Sequence, residues 1–97
     1  MIVTSGYNVY PSQVENAIDG CPEVAYSCVI GVKDPRRMAR VRAYVVLKDG
    51  VAANDTTKEK IMAQISESVA AYALPKEMFF KDELPKTVSG KIQRNLL

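Results

Sequence analysis

Ninety-seven residues suffice for one small domain that buries about 60 to 65% of the surface its unfolded chain exposes, and they leave no room for a second. Thirteen basic against eleven acidic residues give a net charge of +2, too balanced to imply nucleic acid or an anionic membrane as the main partner. The chain has no histidine, and its two cysteines, Cys21 and Cys28, lack metal-ligand spacing, so a zinc site and a histidine-based triad are excluded within it.

In chain order, a short extended start leads to Tyr10-Pro11-Ser12, which opens a helix. Val14, Ala17 and Ile18 repeat there at helical spacing, with Pro11 suited to the first turn and Gly20 to the stop. Val24 to Val32 is rich in β-formers. Arg40 to Lys48 alternates, with Val41, Ala43, Val45 and Leu47 on one face and Arg40, Arg42 and Tyr44 on the other. These predict two antiparallel strands joined by a longish loop, Lys33 to Ala39, which contains the turn initiator Asp34-Pro35; the arginines then face outward. Both cysteines are expected as small core residues.

Asp49-Gly50 ends the second strand. Thr56-Thr57-Lys58-Glu59 has the form of a capping box for a helix carrying Ile61, Ile65, Val69 and Tyr72 on one stripe, which is expected to cover the sheet. The triplet Asn54-Asp55-Thr56 matches a glycan acceptor, but such triplets are common by chance and it is set aside. After Pro75, Glu77 to Lys81 is short and aromatic, consistent with a third strand beside the hairpin; Met78, Phe79 and Phe80 then supply core plus one partly covered ring. The expected fold is α+β: a small, mainly antiparallel three-stranded sheet with an additional short extended N-terminal segment, covered by two helices and followed by a C-terminal lysine loop and helical turn. With no apolar stretch near the roughly 20 residues that span a bilayer and no basic leader, a cytoplasmic setting is expected.

Leu84 to Ile92 carries the most chemistry. Ser89 and Gly90 shape a turn: the serine caps the next turn of chain and the glycine admits backbone conformations closed to other residues. Lys91 comes next, a cation on a flexible stem suited to negative charge that shifts during a reaction. From the residues alone it is either that working cation or an ordinary solvating charge. A phosphate-binding loop of the Gly-x-x-x-x-Gly-Lys-Ser/Thr kind is excluded, because its first glycine is missing and Ile92 replaces the hydroxyl residue.

Two segments in order, Ser5-Gly6-Tyr7-Asn8-Val9-Tyr10-Pro11-Ser12-Gln13-Val14-Glu15 and Leu84-Pro85-Lys86-Thr87-Val88-Ser89-Gly90-Lys91-Ile92, resemble the opening and closing motifs of the small C-terminal domain of adenylate-forming enzymes. That family includes acyl-CoA synthetases, firefly-type luciferases and peptide-synthetase adenylation domains. The middle of the chain follows the pattern through Val29-Ile30-Gly31-Val32-Lys33-Asp34 and Ala43-Tyr44-Val45-Val46-Leu47, so the resemblance covers essentially the whole chain. It implies that residues 1–97 form the mobile C-terminal domain of a larger ligase, cut just after its hinge, whose large N-terminal domain is the partner in cis. The fragment alone is then inactive.

The implied reaction joins a small carboxylic acid to ATP, giving acyl-AMP and pyrophosphate, after which a thiol displaces AMP. Lys91 is the implied adenylation residue. In the second step the domain rotates, and the backbone around Gly6, Tyr7 and Asn8 lines the passage for the pantetheine arm of coenzyme A. ATP, Mg and coenzyme A are the implied cofactors, with Mg held mainly by the large domain and none bound by this chain. The alternatives are an adenylation domain that loads a carrier protein, and a free-standing interaction module of the same fold. The chain departs from the family at Arg37-Met38-Ala39-Arg40, where a Gly-Glu pair is frequent, and at Gln13, where glutamate is frequent. Arg36, Arg37, Arg40 and Arg42 form a basic cluster with two readings, a contact for coenzyme A phosphates or a solvated strand edge.

Overall fold

A computed structural model describes residues 2–4, 6–36 and 38–84. The extended start is a small hairpin of its own, in which β1 (Ile2–Thr4) pairs antiparallel with β2 (Tyr7–Val9). One residue, Tyr10, links it to α1 (Pro11–Asp19), where Pro11 occupies the first turn as expected and Val14 and Ile18 are the buried positions. Beyond α1 come β3 (Val24–Asp34), β4 (Met38–Leu47), α2 (Asp55–Ile65), a 3-10 turn (Ala71–Ala73) and β5 (Glu77–Phe80).

The three-stranded sheet has the order β3-β4-β5 and is mixed. β3 and β4 are antiparallel, whereas β5 runs parallel to β4, with Arg42 beside Glu77 and Tyr44 beside Phe79. A parallel partner requires a crossover rather than a tight turn, and the segment carrying α2 supplies it. The β3–β4 connection is shorter than predicted. Pairing continues through Lys33↔Ala39 and Asp34↔Met38, so most of the expected loop is strand. The tight turn is accommodated by Met38, whose φ of 72° lies in the left-handed region.

Helix α2 also departs from the expected pattern. Its N-cap is Asn54, whose side-chain oxygen accepts from the Thr57 amide at 3.0 Å, so the residue set aside as a chance glycan triplet starts the helix. The helix ends at Ile65, where Ser66 and Ser68 turn their hydroxyls back onto the Ala63 and Ile65 carbonyls. Ile61 and Ile65 are buried as expected, Val69 only packs against the core, and Tyr72 lies beyond the helix and is 42% exposed.

Side-chain alternation gives the sheet two apolar faces. Val29, Val41, Ala43, Val45 and Met78 face the helices, in the main core with Ile2, Val9, Val14, Ile18, Ile61 and Ile65. Cys28, Tyr44 and Val46 face the other way and bury Leu84. Both cysteines are buried, as expected, and no disulfide joins them. Met78 is core and Phe80 packs on it, while Phe79 is 43% exposed. The C-terminal lysine loop and helical turn, with Lys86, Ser89, Gly90 and Lys91, lie outside the described residues, as does Arg37.

Candidate functional site

The opening motif forms the turn of the β1–β2 hairpin. Gly6 has φ +82°, and a Cβ built there meets nothing within 4 Å, so the glycine answers to backbone conformation and not to crowding. Tyr7 is 53% exposed, and its ring stacks on Tyr72 with centroids 4.4 Å apart and planes 12° from parallel. Asn8 is exposed and lines a groove of about 360 Å³, together with Tyr10 and Gln13 on one side and Ser68, Ala70 and Tyr72 on the other. Thus Gly6, Tyr7 and Asn8 stand together at the surface. Tyr72 joins them, a residue that helical periodicity had assigned to the inner stripe of α2.

The hairpin rests on the helix-side face of the sheet, through Ile2 and Val9. Gly31 makes this approach possible, since a Cβ there would lie 3.0 Å from the Ile2 side chain. Leu84, the first residue of the closing motif, lies on the opposite face. Leu84 is buried against Tyr44, Cys28 and Val46, and its amide donates to the Tyr26 hydroxyl at 3.2 Å. The two motifs are therefore rooted on opposite faces of one sheet.

Of the basic cluster, Arg40 and Arg42 are tied down. Both bond the Glu77 carboxylate, Arg42 at 3.1 Å, and Arg40 lies 3.8 Å from Asp34. The Arg40 hydrogen bond, followed by that of Arg42, holds the Glu77 carboxyl below the usual carboxylate range. The Arg42 guanidinium also sits 5.4 Å from the centre of the Phe79 ring. The pair thus faces outward as predicted, as part of a clamp between β4 and β5. Glu77 was not singled out from sequence because its role depends on β5 lying parallel beside β4. Arg36 is exposed, and its amide donates to the Asp34 carboxylate at 2.8 Å.

A second missed group fastens α1 to the outer edge of β3. Glu15 accepts the Val29 amide at 2.7 Å, and Asp19 accepts the Ser27 hydroxyl at 2.7 Å. The carboxylates are four residues apart on the helix and their partners two apart on the strand, so side chains take the place of a further strand. Burial pushes the Asp19 carboxyl up; the Ser27 hydrogen bond opposes the shift and the Glu15 charge adds to it. The i, i+4 spacing of Glu15 and Asp19 was the available signal. No group of three or more His, Cys, Asp or Glu side chains among the described residues could hold a metal ion. No helix among them is long and apolar enough to cross a membrane.

The domain is a small α+β unit with the β1–β2 hairpin on one face of its sheet and Leu84 buried on the other, and a profile for the AMP-binding enzyme C-terminal domain matches residues 13–91. The chain belongs to that family. It is 42% identical over 97 residues to an acetyl-coenzyme A synthetase of Bacillus subtilis, covering all of this chain and 17% of that protein. It is 43% identical over 94 residues to 4-hydroxybutyrate–CoA ligase 1 of Metallosphaera sedula, covering 97% of this chain and 17% of that protein. A crystal structure of an acyl-CoA synthetase from Brucella canis superposes with a TM-score of 0.93 at 40% identity, over 98% of this chain and 18% of that one. The chain spans about a sixth of the length of such relatives.

Proposed function

We propose that this chain is the mobile C-terminal domain of an AMP-forming acyl-CoA synthetase, working with a large N-terminal domain in cis on a small carboxylic acid, in the cytoplasm. ATP and coenzyme A are its co-substrates, and Mg is held by the large domain. Lys91 serves the first half-reaction. Its ammonium meets the carboxylate and the α-phosphate as negative charge gathers between them. A unit charge pair about 4 Å apart at an effective dielectric of about 20 contributes about 4 kcal/mol, up to roughly a thousandfold in rate if expressed only in the transition state. Ser89 and Gly90 shape the loop that presents it.

The Gly6 turn serves the second half-reaction. Its backbone, from Gly6 to Asn8, lines the passage of the pantetheine arm, beside the groove bounded by Asn8 and Tyr72. The observation that carries this assignment is the rooting of the two motifs on opposite sheet faces, Ile2 and Val9 on one and Leu84 on the other. A domain that presents one face for adenylation and the other for thioester formation exchanges the two motifs by rotating as a body.

The test uses the whole synthetase from which the chain derives. Lys91→Ala is expected to abolish carboxylate-dependent pyrophosphate exchange while leaving thioester formation from supplied acyl-AMP within about threefold; Lys86→Ala is expected to retain most of both. Exchange by Lys91→Ala at the wild-type rate removes the assignment.

A further inference from the structure

The turn that the proposed second half-reaction uses has little to hold it. Gly6 is in open space, with no neighbour within 4 Å of where a side chain would start, and Asn8 is exposed. Beyond the main-chain pairing of Thr4 with Tyr7 and of Val3 with Asn8, the one aromatic contact of the turn among the described residues is the Tyr7 ring on Tyr72. The Tyr72 side of this contact is well founded. Ala73 and Pro75 on its C-terminal side are buried, the Ala73 amide donates to the Ala70 carbonyl at 2.9 Å, and the Lys76 amide donates to the Val41 carbonyl at 2.8 Å, joining the segment to β4.

We propose that Tyr72 is a positioning residue for thioester formation: its ring clasps Tyr7 and so fixes the Gly6–Asn8 backbone along which the pantetheine arm passes. The inference rests on the function proposed above and adds a residue and a mechanical role to it. Nearly parallel rings at 4.4 Å are in stacking range, and such a pair contributes a factor of about two to ten when its geometry is needed only in the reactive state. Because Tyr72 acts through Tyr7, its hydroxyl is dispensable and its ring is not. Because the clasp holds the turn and not the lysine segment, its loss falls on one half-reaction.

The experiment measures both half-reactions in the whole synthetase, with supplied acyl-AMP and coenzyme A for the second. Tyr72→Ala, and Tyr72→Leu as a variant that keeps bulk without a ring, are expected to slow thioester formation at saturating coenzyme A about fivefold. The KM for coenzyme A and the pyrophosphate exchange rate should stay within twofold, and Tyr72→Phe should restore the wild-type rate. Tyr7→Ala combined with Tyr72→Ala should be no slower than Tyr7→Ala alone. Losses that multiply in the double variant, a loss confined to the KM for coenzyme A, an equal loss in both half-reactions, a slow Tyr72→Phe or a fast Tyr72→Ala each overturn the clasp. Failure of the underlying function shows separately, as a wild-type synthetase that forms no acyl-CoA or a Lys91→Ala variant with full exchange.

Discussion

Replacing Glu15 by alanine isolates the fastening of α1 to the sheet. The carboxylate accepts the Val29 amide at 2.7 Å, and Val29 is fully buried on the outer edge of β3, where no further strand pairs among the described residues. Losing the acceptor strands a buried N–H, which costs about 1 to 3 kcal/mol, and a charged acceptor places the loss in the upper half of that range. Besides the Asp19–Ser27 bond the helix has little to compensate: its N-cap, Tyr10, makes no side-chain cap, and only Val14 and Ile18 are buried. Glu15→Ala is therefore expected to destabilise the chain by about 2 kcal/mol. With a urea slope of about 1 kcal/mol/M for a chain of this size, the unfolding midpoint drops by about 2 M. Glu15→Gln keeps a carbonyl oxygen for the same amide and should lose about half as much. Equilibrium urea unfolding followed by far-UV circular dichroism gives both values, and a Glu15→Ala midpoint within about 0.5 M of the parent refutes the reasoning.

Met38 holds a left-handed φ of 72° with a Cβ attached, so Met38→Gly should gain about 1 kcal/mol, seen as a rise of about 5 °C in Tm, while Met38→Ala should gain nothing. Gly6→Ala, at φ +82°, should lose about 1 kcal/mol by the same argument, measured by the same melt. Burial first, and the Glu15 charge besides, raise the Asp19 carboxyl, so the native state keeps a proton that the unfolded chain has lost. Between the unfolded value of 3.8 and the raised folded value, stability falls as pH rises; Asp19→Asn, whose amide oxygen still accepts from Ser27, should be the more stable protein above that window and lose its advantage below it, in melts from pH 3 to 7. Glu77 has the opposite sign: its arginine-lowered carboxyl gives stability above the unfolded value of 4.5 that disappears as pH falls through the folded value, so Glu77→Gln should be less stable at neutral pH and converge with the parent in acid.

Periodicity predicted the strands and the start of α1 well, because each depends on local alternation or on a proline and glycine that act where they stand. It failed where a tertiary contact decides. Val69 and Tyr72 continue the helical spacing of Ile61 and Ile65, yet Ser66 and Ser68 divert the chain, and Tyr72 ends at the surface against Tyr7. The parallel direction of β5 was not legible because a four-residue strand carries no direction in its pattern; the crossover through α2 sets it. At the candidate site, Gly6, Tyr7 and Asn8 were recognisable as a motif, and their juxtaposition with Tyr72 was not.

Among the described residues the outer apolar face of the sheet is small, four buried residues beside the fourteen of the main core, and its geometry bears on the lysine segment. Burying Leu84 contributes about 1.5 to 3 kcal/mol, and the Tyr26 hydroxyl takes the Leu84 amide, so the chain is pinned where the closing motif begins. Lys91 lies seven residues further on (91 − 84 = 7), and seven residues extended span at most about 25 Å. The proposed adenylation cation is thus tethered to the outer face at Leu84, while the turn proposed for pantetheine is fixed to the helix-side face by Ile2 and Val9. Under the proposed function, two half-reactions served from two faces require the large domain to meet each face in turn, and the sheet between the anchors would convert one rotation of the domain into the withdrawal of one motif and the arrival of the other.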